Sequence, residues 1–125
     1  MTKILVVDDS PTQRMNLIRI AQSQGFETID AEDGRQAVAV SEAELPDLIL
    51  MDIVMPELNG FQACRKISRN PKTKNIPVIL VSTKNQETDR LWGERQGAKG
   101  YFVKPPNEAA LVARMNELLA ETSPS

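Results

Sequence analysis

The sequence predicts an α/β domain in which five parallel strands alternate with five helices laid on both faces of one sheet. Three observations carry this. Short apolar runs recur along the chain: ILVV (4–7), LILM (48–51), VILV (78–81) and YFV (101–103). They are continuous rather than alternating, as expected of strands covered on both faces. Segments of helical period lie between them with short connections, and such alternation gives a parallel sheet with right-handed crossovers.

In chain order, the strand at 4–7 leads into a helix over Pro11–Gln24. Ser10 is its N-cap, Pro11 takes the first helical position, and Gly25 stops it. Leu17, Ile18 and Ala21 form its apolar stripe. FETIDA (26–31) is the second strand, its apolar character diluted, and Gly34–Glu44 the second helix, with Ala37 and Val38 inward. After the strand at 48–51, a helix over Asn59–Asn70 puts Phe61, Cys64 and Ile67 on one side, and Pro71 closes it. The strand at 78–81 precedes a helix over Gln86–Gln96 ended by Gly97. The last strand, 101–103, precedes a helix over Asn107–Glu121, with Leu111, Met115, Leu118 and Leu119 at helical spacing. Residues 1–121 read as a single domain and 122–125 as a short, frayed tail.

Bulk properties exclude several classes. A net charge of -2 and a pI near 5.2 give no electrostatic case for nucleic acid or an anionic membrane surface. No apolar run is long enough to cross a bilayer, and ILVV before Asp8-Asp9 is too short for a signal peptide. One cysteine fits a reducing compartment, so a cytoplasmic location is expected. The chain has no histidine, which excludes Ser-His-Asp and Cys-His catalysis and any His-ligated metal.

The acidic groups sit at strand ends. Asp8 and Asp9 follow the first strand and Asp52 follows the third. Open parallel sheets bind ligands outside the carboxyl ends of their strands. If the first and third strands are neighbours, the three carboxylates converge. Two carboxylates about 5 Å apart repel by roughly 3 kcal/mol at an effective dielectric near 20, and a cation relieves this. The available ligands are all oxygen, which selects Mg²⁺ or Mn²⁺. Each aspartate alone reads more simply as a helix cap or turn residue; three at two strand ends favour a site.

Ser82 and Thr83 end the fourth strand and Lys104 follows the fifth. Singly they read as a polar strand end and a solvated charge. Around a carboxylate and a metal they supply what a transferred phosphoryl group requires: cations to neutralise it and a hydroxyl to donate to its oxygens. Elsewhere the simpler readings prevail. Cys64 is a buried, inert thiol, Met51 and Met55 are packing residues, and Arg90, Glu94 and Arg95 form a solvated helix face.

The motifs VVDDS (6–10), LMDIVMPELNG (50–60), VILVSTK (78–84) and GYFVKP (100–105) resemble the receiver domains of two-component response regulators, the CheY-like variant of the flavodoxin-like fold. The likeness covers essentially the whole chain and implies the strand order 2-1-3-4-5. It implies that Asp52 is the phosphoacceptor, attacking a phosphohistidine on a CheA-like histidine kinase. Asp9, Asp52 and the main-chain carbonyl of Val54 would hold Mg²⁺ directly, and Asp8 through water. Ser82, with Thr83 beside it, and Lys104 would bind phosphoryl oxygens, and Tyr101 would be the aromatic switch residue. Lys104–Pro105 is expected in cis. Val54 and Lys84 occupy positions that tune acyl-phosphate lifetime. Pro106 departs from the bulky apolar residue many receivers carry there.

A chain without histidine can receive a phosphoryl group but not serve as its histidine donor. No enzymatic turnover is expected beyond self-phosphorylation and self-dephosphorylation. No output domain fits within 125 residues, so an effector protein is expected to read the phosphorylated surface on the fourth helix, fifth strand and fifth helix. STKNQETDRLWGERQGAKGY (82–101) and DIVMPELNGFQA (52–63) further resemble PilH-type single-domain regulators of type IV pilus twitching motility. Glycine at 93, inside a helix, costs about 1 kcal/mol relative to alanine, which calls for something to offset it. Trp92 beside it either packs at the helix edge or meets a partner.

Within this reading two roles stay open: the chain carries the signal to an effector, or it drains phosphoryl groups from a shared kinase as a phosphate sink. Three readings of other kinds compete with it. An aspartate-based Mg²⁺ phosphatase needs a D-x-D spacing that Asp8 and Asp52 lack. A flavodoxin-like cofactor binder needs a Ser/Thr/Gly phosphate loop, whereas DDSPTQ (8–13) offers carboxylates. A pseudo-receiver would lack an acceptor-site residue, and none is missing.

Overall fold

The structure, a computed structural model, describes residues 1–122. Its elements are β1 (Lys3–Val7), α1 (Pro11–Ser23), β2 (Glu27–Ala31), α2 (Gly34–Glu44), β3 (Leu48–Met51), α3 (Gly60–Arg69), β4 (Val78–Ser82), α4 (Glu87–Arg95), β5 (Gly100–Val103) and α5 (Glu108–Thr122). All strand pairs are parallel, in the order β2-β1-β3-β4-β5. This is the five-stranded (βα)₅ architecture the sequence predicts.

Boundaries move by a residue or two. Phe26 lies outside β2, and Asn59 is the N-cap of α3 rather than its first residue. Asn59 accepts from the Gln62 N–H at 2.9 Å while the Gln62 side chain accepts from the Asn59 N–H at 3.0 Å, a reciprocal cap. α5 runs through Thr122, so the expected tail boundary at 122 is displaced; residues 123–125 lie outside the described residues.

Side chains pack on both sheet faces. Leu5, Val7, Ile49, Met51 and Leu80 meet α2 and α3 on one side. Ile4, Val6, Leu50, Ile79 and Val81 meet α1 and α5 on the other. In α1 the buried stripe is Leu17, Ile20 and Ala21, with Ile18 only partly covered. β1, β3 and β4 are buried on both faces as expected, but β5 is not: Tyr101 and Phe102 are half-buried and Val103 is exposed. The reason is topological, since β5 is an edge strand. β2, the other edge, shows the same dilution already visible in its sequence.

Gly93 is buried within α4, and a Cβ there would lie 2.9 Å from Leu80 Cδ1 and 3.5 Å from Tyr101 Cδ2. The glycine lets α4 settle onto β4 and β5, which offsets its propensity cost. Trp92 beside it stays 47% exposed.

Candidate functional site

Strand register brings the acidic residues together. Val7 pairs with Met51, and the ladder continues past both, with the Asp52 N–H donating to the Val7 carbonyl at 2.9 Å and the Asp8 N–H to the Ala31 carbonyl at 3.2 Å. The carboxyl ends of adjacent central strands therefore deliver Asp8, Asp9 and Asp52 to one place. One carboxylate oxygen from each lies within 4.8 Å of the others. Gly60 shapes the far wall: a Cβ there would sit 2.2 Å from the Asp52 carbonyl oxygen, so only glycine lets α3 begin so close to the strand end.

The three carboxylates differ in surroundings. Asp8 is fully buried and both its oxygens are engaged: Oδ1 accepts the Ser10 N–H at 3.0 Å and Oδ2 accepts Lys104 Nζ at 2.7 Å. Asp52 is 6% exposed. Its Oδ1 accepts the Ile53 N–H at 2.8 Å and lies 3.6 Å from Lys104 Nζ. Among the described residues nothing engages its Oδ2, and every buried side-chain polar atom has a partner, so Oδ2 faces solvent. Asp9 is exposed and its carboxylate takes part in no hydrogen bond or ion pair among the described residues.

Burial pushes the Asp52 carboxyl above the ordinary aspartate range; Lys104 opposes this, the Asp8 charge adds to it, the Ile53 hydrogen bond opposes it, and Asp9 adds again. A cation is the natural relief for this crowding. The structure shows that Lys104 already supplies part of it from within the chain. Its amide continues the sheet by donating to the Ser82 carbonyl at 2.9 Å, and the Lys104–Pro105 peptide is cis as expected. An all-oxygen cluster with one buried paired carboxylate, one free exposed carboxylate and one solvent-facing oxygen fits a hard divalent cation.

A family model of the response regulator receiver domain matches residues 4–116. The chain belongs to the response regulator receiver family. It is 49% identical over 120 residues to Protein PilH of Pseudomonas aeruginosa, which covers 96% of this chain and 99% of that protein. The receiver domain of a signal transduction histidine kinase from Syntrophus aciditrophicus superposes with a TM-score of 0.91 at 33% identity, covering 100% of this chain and 95% of that one. The receiver domain of a sensor histidine kinase from Pseudomonas aeruginosa PAO1 superposes with a TM-score of 0.87 at 28% identity, covering 95% and 98%. That last structure holds a magnesium ion coordinated in its active-site cleft. Receivers take phosphoryl groups from histidine kinases and act on effector proteins, so this one is a signalling protein.

Ser82 is fully buried and its Oγ accepts the Lys84 N–H at 3.3 Å, whereas Thr83 is exposed. Tyr101 is half-buried and its hydroxyl donates to the Lys84 carbonyl at 2.7 Å. Burial, with the charges of Asp89 and Asp52, pushes that phenol up to about 12. Lys84 Nζ lies 3.9 Å from Asp89 Oδ1 in the first turn of α4. Val54 is 57% exposed.

Sequence reasoning missed Arg14. Its Nη1 donates to the Asp8 carbonyl at 2.7 Å, and its Nε lies 3.1 Å from Asp30 Oδ2. It clamps the start of the β1–α1 loop against β2. An arginine one turn into a helix that follows two aspartates was the available signal, but nothing in the spacing says which oxygen it would reach. Cys64 behaves as expected: it is buried, its thiol donates to the Gln96 carbonyl at 3.4 Å, and burial pushes it up to about 11. The native protein should therefore resist Ellman's reagent at pH 8 and release one thiol on unfolding. Fast native-state labelling would contradict the burial.

Proposed function

We propose that this receiver is a phosphorylation-switched signalling module whose acceptor is Asp52. The observation that carries this is the convergence of the three carboxylates within 4.8 Å, with Lys104 Nζ at 2.7 Å from Asp8 and 3.6 Å from Asp52. The solvent-facing Oδ2 of Asp52 attacks the phosphorus of a phosphohistidine on a CheA-like kinase. A P–O bond forms, the P–N bond breaks, and its electron pair returns to the imidazole. Hydrolysis later releases inorganic phosphate and regenerates the carboxylate.

Asp9, Asp52 and the Val54 carbonyl would hold Mg²⁺, or Mn²⁺, with Asp8 acting through water. The ion supplies charge neutralisation for the phosphoryl oxygens. Lys104 would exchange part of its contact with Asp8 for a phosphoryl oxygen, and the Ser82 hydroxyl would donate to another. Movement of Ser82 pulls on the Lys84 backbone, which holds the Tyr101 hydroxyl, and so reaches the α4–β5–α5 surface where an effector would bind. Lys84, directed toward Asp89, and the exposed apolar Val54 would govern lifetime rather than transfer. Such a protein does no turnover beyond its own phosphorylation and dephosphorylation.

The PilH-type resemblance and the 49% identity to Protein PilH support a role in type IV pilus twitching motility. A cytoplasmic location, where a kinase's phosphohistidine would be met, is part of this proposal; among the described residues no helix is long and apolar enough to cross a membrane.

Metal binding tests the site without phosphorylation. Saturating Mg²⁺ at about 100 times its Kd should stabilise the fold by about 2.7 kcal/mol. Asp9→Asn removes an exposed ligand and a weak source of repulsion on Asp52, so it should raise the metal-free melting temperature slightly and abolish most of the Mg²⁺ increment. Thermal melts of both proteins with and without Mg²⁺ decide this; an undiminished increment in Asp9→Asn would remove Asp9 from the ligand set. Beryllofluoride should then add a further Mg²⁺-dependent rise in wild type.

A further inference from the structure

Charge is distributed very unevenly in this chain. Seventeen acidic residues are present, yet none lies between Glu57 and Glu87. Eight of the 15 lysines and arginines form ion pairs. Of the seven that form none among the described residues, five fall within ten positions: Arg65, Lys66, Arg69, Lys72 and Lys74. All five are exposed, on the outer face of α3 and the loop after it. Two of them, Lys66 and Arg69, lie in the last turn of α3, where cations complement the helix dipole. That accounts for two of the five and for none of the missing counterions.

The patch is concave. Leu58, Gln62, Arg65, Lys66, Arg69 and Asn70 line a groove of about 450 Å³. It adjoins a second, of about 460 Å³, on the α2 side; Leu58 and Lys66 line both, Val38 and Ala39 add apolar surface, and Glu57, ion-paired with Arg35, and Glu42, which accepts from the Asn70 side chain, line its α2 edge. The half-buried Leu58 and Val38 form an apolar floor, and the unpaired Arg65, Lys66 and Arg69 rim its α3 side, where the α2-side carboxylates already have partners; this matches an amphipathic segment that turns its own carboxylates toward α3. A membrane surface is flat, and Phe61 and Ile76, the large apolar side chains of this stretch, pack into the core instead of standing out as anchors. No exposed aromatic residue is available here to stack a base. A long polyanion would also meet the net charge of -2 of the whole chain, whereas a short segment senses only charges within a Debye length of about 8 Å.

We propose that the α2–α3 face is a second docking surface, which takes an acidic, amphipathic segment of a partner protein. It is separate from the α4–β5–α5 face and does not depend on the phosphoryl reading of Asp52.

The probe is a synthetic helical peptide with glutamates flanking a leucine stripe, titrated into the ¹⁵N-labelled full chain at about 50 mM salt. Saturable amide shifts confined to α3, its flanking loops and the facing side of α2 are expected, with affinity falling about tenfold by about 200 mM salt. Arg65→Glu/Arg69→Glu should weaken binding at least about tenfold. Arg95→Glu/Lys99→Glu changes the net charge equally, using the other two unpaired cations, and should leave it unchanged. Arg65→Gln/Arg69→Gln gives a milder loss and guards against misfolding of the reversal variant; thermal melts confirm that each variant is folded. Absence of saturable shifts, equal weakening by both charge reversals, or tighter binding to phosphatidylserine vesicles or to a DNA duplex than to the peptide would each overturn the proposal.

Discussion

Lys104→Met should lower folding stability by about 3–5 kcal/mol at neutral pH, as expected when one member of a buried ion pair is removed. The Lys104 side chain is 8% exposed, and its ammonium group lies 2.7 Å from the fully buried Asp8 and 3.6 Å from Asp52. Methionine fills the stem's volume but leaves Asp8 with the Ser10 N–H and Asp52 with the Ile53 N–H as their hydrogen-bond donors. Removing Lys104 also removes the leading influence that holds the Asp52 carboxyl down, so that group, already raised, rises further. A carboxyl raised in the folded state makes that state bind more protons than the unfolded one. The deficit should therefore be largest above the folded value and shrink as pH falls toward the ordinary aspartate range. Urea unfolding at pH 7 and pH 5 measures both effects. In a double-mutant cycle, Asp8→Asn in the Lys104→Met background should restore most of the loss. A loss below about 1 kcal/mol would mean that solvent screens the pair.

Asp52→Asn should act in the opposite direction and raise the melting temperature of the metal-free protein by a few degrees. Desolvation is the largest influence on Asp52, and the neighbouring Asp8 and Asp9 charges add to it against Lys104 and the Ile53 N–H. Together they hold its pKa above the unfolded value, so its charge opposes folding at neutral pH. Stability from this source grows as pH falls through the raised folded value and levels off below the unfolded one. The variant's advantage should thus be full at pH 7 and fade toward pH 4. Mg²⁺ should narrow the gap by stabilising wild type more. A variant that melts lower than wild type at pH 7 without metal would show that the contact to Lys104 outweighs desolvation.

Both substitutions concern a balance that the sequence showed only in part. Asp8, Asp9 and Asp52 were legible as a cluster because strand ends are legible: ILVV and LILM stop at these residues, and parallel strands in register bring their ends level. Lys104 was legible as a cation near the site, but not as the partner of Asp8, because no spacing rule reports where a long side chain folds back. Burial on both faces failed for YFV. Its apolar run matches a central strand, and only the sheet order shows that it lies on an edge. Gly93 looked anomalous in a helix until the nearness of Leu80 and Tyr101 explained it. Arg14, and the contact of the Tyr101 hydroxyl with the Lys84 carbonyl, depend on loop paths that local pattern does not encode.

The most direct test of the central claim is intact-mass spectrometry of wild type and Asp52→Asn after incubation with acetyl phosphate and Mg²⁺. A single phosphoryl adduct on wild type, dependent on Mg²⁺ and absent from the variant, is the predicted result, and its decay rate would begin to separate a messenger from a phosphate sink. An adduct of equal yield on Asp52→Asn, or none on wild type together with no beryllofluoride complex, would contradict Asp52 as the acceptor.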